Sequence, residues 1–183
     1  MRVIAGEKRS MPLKSPKGEH TRPTQDRTKE TLFNVLQNEI PGCEFLDLFS
    51  GSGAIAIEAL SRGARHAILV DQDKEALACI HDNLNFTGLS ERGEVLSMDV
   101  LSALQRLSGH GPFDVIFMDP PYDLLIEPRV FAILAEAKFC DEYTTIVVEA
   151  RLDRDWSFLK ECGFEVYKVK KYKTNQHVFI RRI

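Results

Sequence analysis

The chain has 183 residues, 28% of them charged and 44% hydrophobic, and a formal net charge of -3. This length fits one domain with a full α/β core and leaves little room for a second. No run approaches the ~20 apolar residues of a membrane span, and no signal-peptide pattern follows the start, so we expect a cytoplasmic protein without a membrane partner. The cysteines match neither a metal clip nor a disulfide framework, and no metal site is predicted; they are Cys43, Cys79, Cys140 and Cys162. A monomer is the default expectation.

The charge is distributed unevenly along the chain. Residues 1–29 carry eight Lys or Arg against three Asp or Glu, and residues 164–183 carry six against one, whereas the middle is strongly acidic. Basic ends around an acidic body are typical of a surface that contacts a phosphate backbone. Residues 6–23 follow a strand-like Arg2–Ile4 and are rich in Gly, Pro, Lys and Ser. The pattern therefore predicts a basic N-terminal arm or hairpin over residues 1–23.

A helix is predicted next, with Thr24 as its N-cap and Pro41-Gly42 as its end. Its apolar residues, from Leu32 to Ile40, fall at helical spacing. From there short apolar runs alternate with helical patterns. The runs lie at 45–49, 67–70, 95–98, 115–118 and 145–148, and the helical patterns at 53–62, 73–85, 100–108 and 127–138. This alternation predicts an α/β fold with a doubly wound parallel sheet and helices on both faces.

The end of the chain departs from that alternation. Residues 164–171 and 177–180 are strand-like, with too few residues between them for a crossover helix. Parallel strands need such a crossover, whereas antiparallel strands need only a tight turn. The sequence therefore predicts that a C-terminal antiparallel hairpin closes the sheet.

A glycine-rich turn ends the first predicted core strand, Asp47-Leu48-Phe49-Ser50-Gly51-Ser52-Gly53. It lacks the third glycine of the dinucleotide fingerprint and the Lys-Ser/Thr of a phosphate loop, which disfavours a pyrophosphate ligand. An acidic strand end beside glycines suits a ligand with an ammonium group and no phosphate. S-adenosylmethionine is such a ligand, and we expect it as the cofactor.

Two further predicted strands end in carboxylates. Asp71 ends the second strand, where it can accept hydrogen bonds from both hydroxyls of a ribose, although NAD would need the same group. Met98-Asp99 end the third strand and supply an apolar contact for an adenine ring and an acceptor for its amino group. The predicted cofactor site also includes the flanking residues and the turn itself, namely Phe49, Ser50, Gly51, Ser52, Gly53, Gln72 and Val100.

The fourth predicted strand ends in Asp119-Pro120-Pro121-Tyr122, which we assign as the catalytic residues. Proline fixes φ and has no N–H, so the prolines predict a stiff turn whose carbonyls point outward and are not used by a helix. Asp119 and the Pro120 carbonyl can then accept both hydrogens of an exocyclic amine, whose lone pair attacks a methyl group. Tyr122 supplies an aromatic face for the base. No strong general base is needed, since placement supplies much of the barrier reduction, and the expected substrate is an unpaired or flipped nucleotide.

These motifs resemble those of a known family, the bacterial 16S ribosomal RNA guanine-N2 methyltransferases (RsmD-like). The likeness covers nearly the whole chain and includes Arg2–Gly6, Arg22-Pro23-Thr24, Asp26-Arg27, Glu30–Asn34, the glycine-rich turn and the Asp119–Tyr122 tetrapeptide. It implies a seven-stranded, Rossmann-like class I methyltransferase fold as a single domain over residues 1–183. It also implies Thr24 in the cofactor site and an RNA-facing basic arm. With Tyr122, Arg22 and Arg27 are the predicted substrate-binding residues.

The implied activity is S-adenosylmethionine-dependent methylation of the N2 amine of a guanine in 16S ribosomal RNA. The implied partner is ribosomal RNA within the small ribosomal subunit or its assembly intermediate. The tetrapeptide leaves the base open, because it also serves adenine N6 and cytosine N4 enzymes. One alternative is a DNA adenine-N6 methyltransferase, which usually needs an added target-recognition segment. A protein glutamine methyltransferase normally carries Asn in place of Asp119, and a catalytically silent RNA-binding or ribosome-assembly module would not need the intact tetrapeptide.

The remaining polar residues receive no role in the chemistry. The histidines are scattered without metal spacing and are assigned no catalytic function; they are His20, His66, His81, His110 and His177. The lysines near the C-terminus are interpreted as a solvated face; they are Lys168, Lys170, Lys171 and Lys173.

Overall fold

One seven-stranded sheet forms the centre of the computed structural model, which describes residues 1–16 and 23–183, without the side chains of residues 23–25. Its strands are β1 (Glu44–Asp47), β2 (His66–Asp71), β3 (Gly93–Ser97), β4 (Val115–Met118), β5 (Thr145–Arg151), β6 (Phe164–Lys171) and β7 (Asn175–Arg182). The α-helices in this part of the chain are α1 (Pro23–Val35), α2 (Ala54–Ser61), α3 (Lys74–Thr87), α4 (Val100–Arg106) and α5 (Glu127–Glu136). Single 3₁₀ turns lie at Leu107–Gly109, Tyr122–Leu124 and Ser157–Leu159.

The strand order is β3-β2-β1-β4-β5-β7-β6. Strands β1 to β5 pair in parallel, and β7 pairs antiparallel with both β5 and β6. The predicted α/β fold with a C-terminal antiparallel hairpin is therefore confirmed. Strands β2 and β3 lie on one side of β1 in the sheet, and β4 and the later strands lie on its other side. At such a switch point the loops after the two central strands diverge and leave a crevice.

The central strands β1, β2, β4 and β5 are buried on both faces, whereas the edge strands β3 and β6 are partly exposed. Alternate residues enter different clusters: Phe45 packs with α1, α2 and α3, whereas Leu46 packs with α4 and α5. Successive side chains of a strand point to opposite faces, so a strand covered by helices on both sides reads as a continuous apolar run. This burial explains why the apolar runs in the sequence predicted the positions of the strands to within a few residues. It also confirms the prediction of helices on both faces of the sheet.

Helix α1 differs from its prediction at both ends. It begins at Pro23, so Thr24 lies inside the first turn and is not the N-cap. Proline is favoured at the first helical position because its missing N–H would have no partner there. The helix ends at Val35, and residues 36–40 continue in tighter turns, in which the N–H of Glu39 donates to the carbonyl of Leu36 at 2.9 Å.

The N-terminal segment, residues 1–13, folds back on itself beside α2. The N–H of Val3 donates to the carbonyl of Met11 at 2.9 Å, and Arg2 forms an isolated antiparallel bridge with Pro12, outside the seven-stranded sheet. Val3 is fully buried. Gly6 has a φ of +84°, and a Cβ there would lie 1.9 Å from the carbonyl oxygen of Ser61. The segment therefore passes α2 too closely for any side chain at this position.

Glu58 of α2 holds this segment in place. Its fully buried carboxylate accepts hydrogen bonds from the N–H groups of Ile4 at 2.8 Å and Ala5 at 3.0 Å. It also forms ion pairs with Lys29 at 3.2 Å and Arg62 at 2.7 Å. Burial lowers the pKa of Lys29, and the Glu58 carboxylate opposes that shift. A buried charge is tolerated only with such partners, because its hydration is lost.

Replacing Glu58 by alanine should destabilise the protein by about 3–5 kcal/mol, because Lys29 would keep a buried charge without its counter-ion. The measurement is urea unfolding followed by circular dichroism. Glu91→Ala is the matched control, since Glu91 is exposed in a turn and its removal should change the free energy of unfolding by less than about 0.5 kcal/mol. Equal stability of the two variants would contradict the role given to Glu58.

Candidate functional site

A cavity of about 980 Å³ opens at the carboxyl ends of the parallel strands, at the switch point between β1 and β4. Its wall brings together most of the residues predicted from the sequence for the cofactor site. These are Phe49, Ser50, Gly51, Ser52, Asp71, Gln72, Met98, Asp99 and Val100. Of the predicted catalytic tetrapeptide, Asp119 and Pro121 line the same cavity, whereas Pro120 and Tyr122 do not. The two main sequence motifs therefore form one site.

The glycine-rich turn presents its backbone to this cavity. Gly51 has a φ of +53° and Gly53 a φ of +77°, conformations that side chains with a Cβ rarely adopt. At Gly53 a Cβ would also lie 3.1 Å from the side chain of Leu69, whereas no atom lies within 4 Å of one at Gly51. Gly53 does not line the cavity itself; it lies just before α2. The glycines therefore set the path of the loop, and only Gly51 of the two faces the ligand space.

Asp47 is a buried carboxyl group at the end of β1. It is 1% exposed, and neither of its oxygens has a hydrogen-bond partner among the described residues. Burial raises its pKa to about 7, and the nearby Asp71 carboxylate adds to the shift. Asp47 does not line the cavity, but Leu48, the next residue, does. Unpaired buried acceptors are rare, so this carboxylate one residue behind the wall fits a ligand with a positive charge.

Asp71 connects the end of β2 to the glycine-rich turn. Its Oδ2 accepts a hydrogen bond from the N–H of Gly51 at 2.8 Å, and its Oδ1 accepts one from the N–H of Asp73 at 2.9 Å. An ionised carboxylate oxygen accepts about two hydrogen bonds. Each oxygen can therefore accept one further hydrogen bond, and the ribose contact expected from the sequence stays a prediction.

Asp99 has a structural role that the sequence analysis missed. It is the N-cap of α4, where its Oδ1 accepts hydrogen bonds from the N–H groups of Leu101 at 3.0 Å and Ser102 at 3.1 Å. The Ser102 hydroxyl donates to its Oδ2 at 2.6 Å. These hydrogen bonds lower the pKa of Asp99, and the one from the Ser102 hydroxyl has the largest effect. The carboxylate stays ionised and keeps one position on Oδ2 for a donor from the cavity. A carboxylate directly before a helix is the signal that could have revealed the cap.

The tetrapeptide forms a short turn after β4. Asp119 and Tyr122 are exposed, whereas Pro120 is buried. The carbonyl of Pro121 accepts a hydrogen bond from the N–H of Leu124 at 3.0 Å, which corrects the prediction that both proline carbonyls are unused. The cause is the 3₁₀ turn at Tyr122–Leu124. Among the described residues, no backbone N–H donates to the carbonyl of Pro120.

A polar cluster that the sequence analysis missed lies beside the end of β4, on the neighbouring strands β5 and β7. His177, which had been given no catalytic role, is 1% exposed, and its Nε2 lies 3.1 Å from Oε2 of Glu149. Its Nδ1 lies 2.9 Å from the hydroxyl of Tyr172, and the side-chain amide of Asn175 donates to Oε1 of Glu149. Glu149, Asn175 and His177 all line the cavity. No short sequence motif links them, since only the pairing of β5 with β7 brings them together.

The predicted substrate-binding residues lie elsewhere or outside the described residues. Arg27 does not line the main cavity; it lies on a second cavity of about 450 Å³ beside the N-terminal segment, with Arg2 and Arg9. Arg22 lies outside the described residues, and the side chain of Thr24 is not described. Met1 and Lys29 line the main cavity, because Glu58 holds the N-terminal segment and α1 together at its edge.

The described part of the chain has neither a candidate metal site nor a candidate membrane-spanning helix. In residues 1–16 and 23–183, no group of three or more His, Cys, Asp or Glu side chains could hold a metal ion. No helix in these two ranges is long and apolar enough to cross a membrane.

Comparisons with known proteins agree with this geometry. The sequence model of the family described as "Conserved hypothetical protein 95" matches residues 1–181. The chain is 36% identical over 180 residues to "Ribosomal RNA small subunit methyltransferase D" of Haemophilus influenzae, covering 94% of this chain and 93% of that protein. It is 31% identical over 168 residues to the protein of the same name from Escherichia coli K12, covering 88% and 83%.

The fold has a close counterpart among solved structures. The structure of yhhF from Escherichia coli superposes with a TM-score of 0.84 at 28% sequence identity, covering 100% of this chain and 97% of that one. The matches in sequence and in fold thus extend over nearly the whole chain. The protein therefore belongs to the family of conserved hypothetical protein 95, which includes the ribosomal RNA small subunit methyltransferase D proteins.

Proposed function

We propose that this protein transfers the methyl group of S-adenosylmethionine to the exocyclic N2 amine of a guanine in small-subunit ribosomal RNA. One observation carries the proposal: a single cavity joins the glycine-rich turn to Asp119 and Pro121 of the tetrapeptide. The names of the two relatives support ribosomal RNA as the substrate. By the same reasoning we infer that the enzyme acts as a cytoplasmic monomer on the small subunit or its assembly intermediate.

The residues of the cavity fit S-adenosylmethionine group by group. Asp71 keeps acceptor positions for the ribose hydroxyls, and Met98 and Asp99 lie together for the adenine ring and its amino group. Asp47 does not line the cavity, but its buried carboxyl, one residue behind the wall, places a carboxyl group near the glycine-rich turn, which suits the ammonium group of the methionine part. At about 980 Å³ the cavity lies at the upper end of the range of small-molecule sites and has room for a base beside the cofactor.

The tetrapeptide supports the chemistry on the base. When bound, S-adenosylmethionine supplies an electrophilic methyl group. Asp119 and the carbonyl of Pro120 accept the two hydrogens of the amine, which directs its lone pair away from the ring. Burial raises the pKa of Tyr122 to about 12, and the carboxylates of Glu149 and Asp119 add to the shift. Tyr122 therefore stays neutral and offers its ring for stacking, while the proton lost by the amine passes to Asp119 or to water.

The activity is tested by tritiated methyl transfer to small ribosomal subunits that lack the modification, beside naked ribosomal RNA, duplex DNA and ribosomal protein. We expect N2-methylguanosine in RNA. N6-methyladenine in DNA would instead support the DNA methyltransferase alternative. Transfer to none of these substrates, despite cofactor binding, would support the silent RNA-binding module.

In the same assay Asp119→Ala should lower turnover about 100-fold or more, because an acceptor that faces the developing charge is lost. Cofactor affinity, measured by calorimetry, should stay unchanged. Asp123→Ala is the matched control, because Asp123 is an exposed carboxylate of the adjoining 3₁₀ turn and does not line the cavity. Wild-type turnover in Asp119→Ala would rule out the role proposed for this residue.

Cofactor affinity should also depend on the ionisation of Asp47, whose pKa of about 7 makes the free group largely protonated in mild acid. Below this value we expect the affinity to rise about tenfold per pH unit as the carboxylate forms, and to level off above it. Asp47→Asn should bind more weakly and without this pH dependence. The measurement is calorimetric titration between about pH 5.5 and about pH 7.5.

The free protein provides an independent check of the same group. Because the pKa of Asp47 is higher in the folded than in the unfolded chain, the folded state holds the extra proton. Asp47 should therefore contribute a fall in the free energy of unfolding as the pH rises from about 4 to about 7, so over this range the stability of Asp47→Asn should gain relative to that of the wild type. Asp153→Asn, at an exposed carboxylate, should follow the wild-type profile. Identical profiles for all three proteins would contradict the assignment.

A further inference from the structure

Three polar residues form a row across the sheet at the cavity. Met118 of β4 and Val148 of β5 form the last pair of this parallel ladder, and Asp119 and Glu149 are the residues that directly follow them. Glu149 pairs in turn with His177 of β7. Neighbouring strands lie about 4.8 Å apart, and paired residues point to the same face. All three residues line the cavity. A second carboxylate therefore stands beside the acceptor that the tetrapeptide supplies.

Glu149 is held in position from behind by side chains of the C-terminal hairpin. The Glu149 carboxylate can only accept, so Nε2 of His177 carries the hydrogen and donates to Oε2, while the amide of Asn175 donates to Oε1. In the neutral ring Nδ1 is then an acceptor, and the hydroxyl of Tyr172 donates to it at 2.9 Å. Each carboxylate oxygen still has one acceptor position. Because its side chain is 20% exposed, Glu149 can offer these positions to a ligand in the cavity.

The ring atom next to the exocyclic amine distinguishes the three bases that carry one. In guanine this atom is N1, which bears a hydrogen. In adenine it is N1 and in cytosine N3, and both have a lone pair instead. An ionised carboxylate only accepts hydrogen bonds. A carboxylate beside the amine site therefore binds guanine and repels the other two bases.

We propose that Glu149 accepts the N1–H of the target guanine and so selects this base, with Tyr172, His177 and Asn175 as positioning residues. The inference rests on the proposed function and deepens it. It assigns to Glu149 the choice of base that the tetrapeptide leaves open. The three donors on this edge of guanine then meet three acceptors: Glu149, Asp119 and the carbonyl of Pro120.

The two carboxylates, Asp119 and Glu149, also suit the positive charge that passes from sulfur to N2 during methyl transfer. The N2–CH₃ bond forms as the S–CH₃ bond breaks, and the electron pair of the broken bond stays on sulfur. Positive charge passes from sulfur to N2 and leaves as a proton. Two carboxylates beside the amine stabilise that charge as it develops, and they are in place before the reaction begins.

The test uses small subunits assembled with ribosomal RNA that carries guanosine or 2-aminopurine riboside at the nucleotide identified by the transfer assay. 2-Aminopurine keeps the amine but lacks the N1–H. For the wild-type enzyme we expect kcat/KM to be about 100-fold or more higher on guanosine, because the analogue leaves a buried acceptor unpaired. Glu149→Ala should lower kcat/KM on guanosine by a similar factor and leave the low value on 2-aminopurine unchanged. The preference for guanosine should thus disappear.

Further variants separate recognition from folding. Tyr172→Phe removes the hydroxyl that orients His177 and should lower the preference for guanosine only in part, whereas Glu165→Ala, on the outer strand β6, should keep it in full. A merely structural role for Glu149 would lower kcat/KM on both substrates by the same factor, and this result would overturn the proposal.

The wild-type comparison is decisive even if Glu149→Ala does not fold. Equal use of the two substrates would overturn the role of Glu149 and leave the proposed function standing. Failure to methylate any N2 amine would instead overturn the proposed function itself.

Discussion

Parallel strands bring their carboxyl ends to one edge of a sheet, and the change of strand order between β1 and β4 opens that edge. The remaining features of the site depend on this constraint. The glycine-rich turn leaves β1, and the Asp119–Tyr122 tetrapeptide leaves β4, so residues some 70 positions apart in the chain share one wall. Because β1 and β4 are buried on both faces, their ends cannot shift without disturbing the core. The position of the two motifs is thereby set by packing.

Acidic residues at this edge differ in what surrounds them, and the surroundings determine what each can do. Asp47 is buried without a partner, so its pKa is raised to about 7 and it suits a cation. Asp99 accepts hydrogen bonds from the start of α4, so its pKa is lowered and it remains an acceptor. Asp71 shares its oxygens between the backbone and the cavity. Under the proposed function, strand ends of one residue type would serve the ammonium, the amino group and the hydroxyls of one ligand.

The N-terminal segment contributes to the site through a buried network. Glu58 binds the backbone of Ile4 and Ala5 and the side chain of Lys29, and Met1 and Lys29 reach the rim of the cavity. Gly6 permits the close approach to α2 on which this contact depends. The basic residues Arg2, Arg9 and Arg27 line a separate cavity beside this segment, together with Asp26 and Glu30. Helix α2 therefore connects the glycine-rich turn, which precedes it, with the N-terminal segment that it holds.

The sequence by itself determined the α/β class, the positions of the strands and the two motifs, because burial on both faces and glycine or proline backbones leave local patterns. Strand ends and helix α1 were less well predicted, since turns and caps depend on a few hydrogen bonds. Only the tertiary structure decided that Glu149, His177 and Asn175 share a cavity with Asp119. Their contact arises from the antiparallel pairing of β5 with β7, and pairing between distant strands leaves no mark in either strand alone. The unpaired state of Asp47 likewise follows from what packs around it, which no neighbouring residue in the chain reveals.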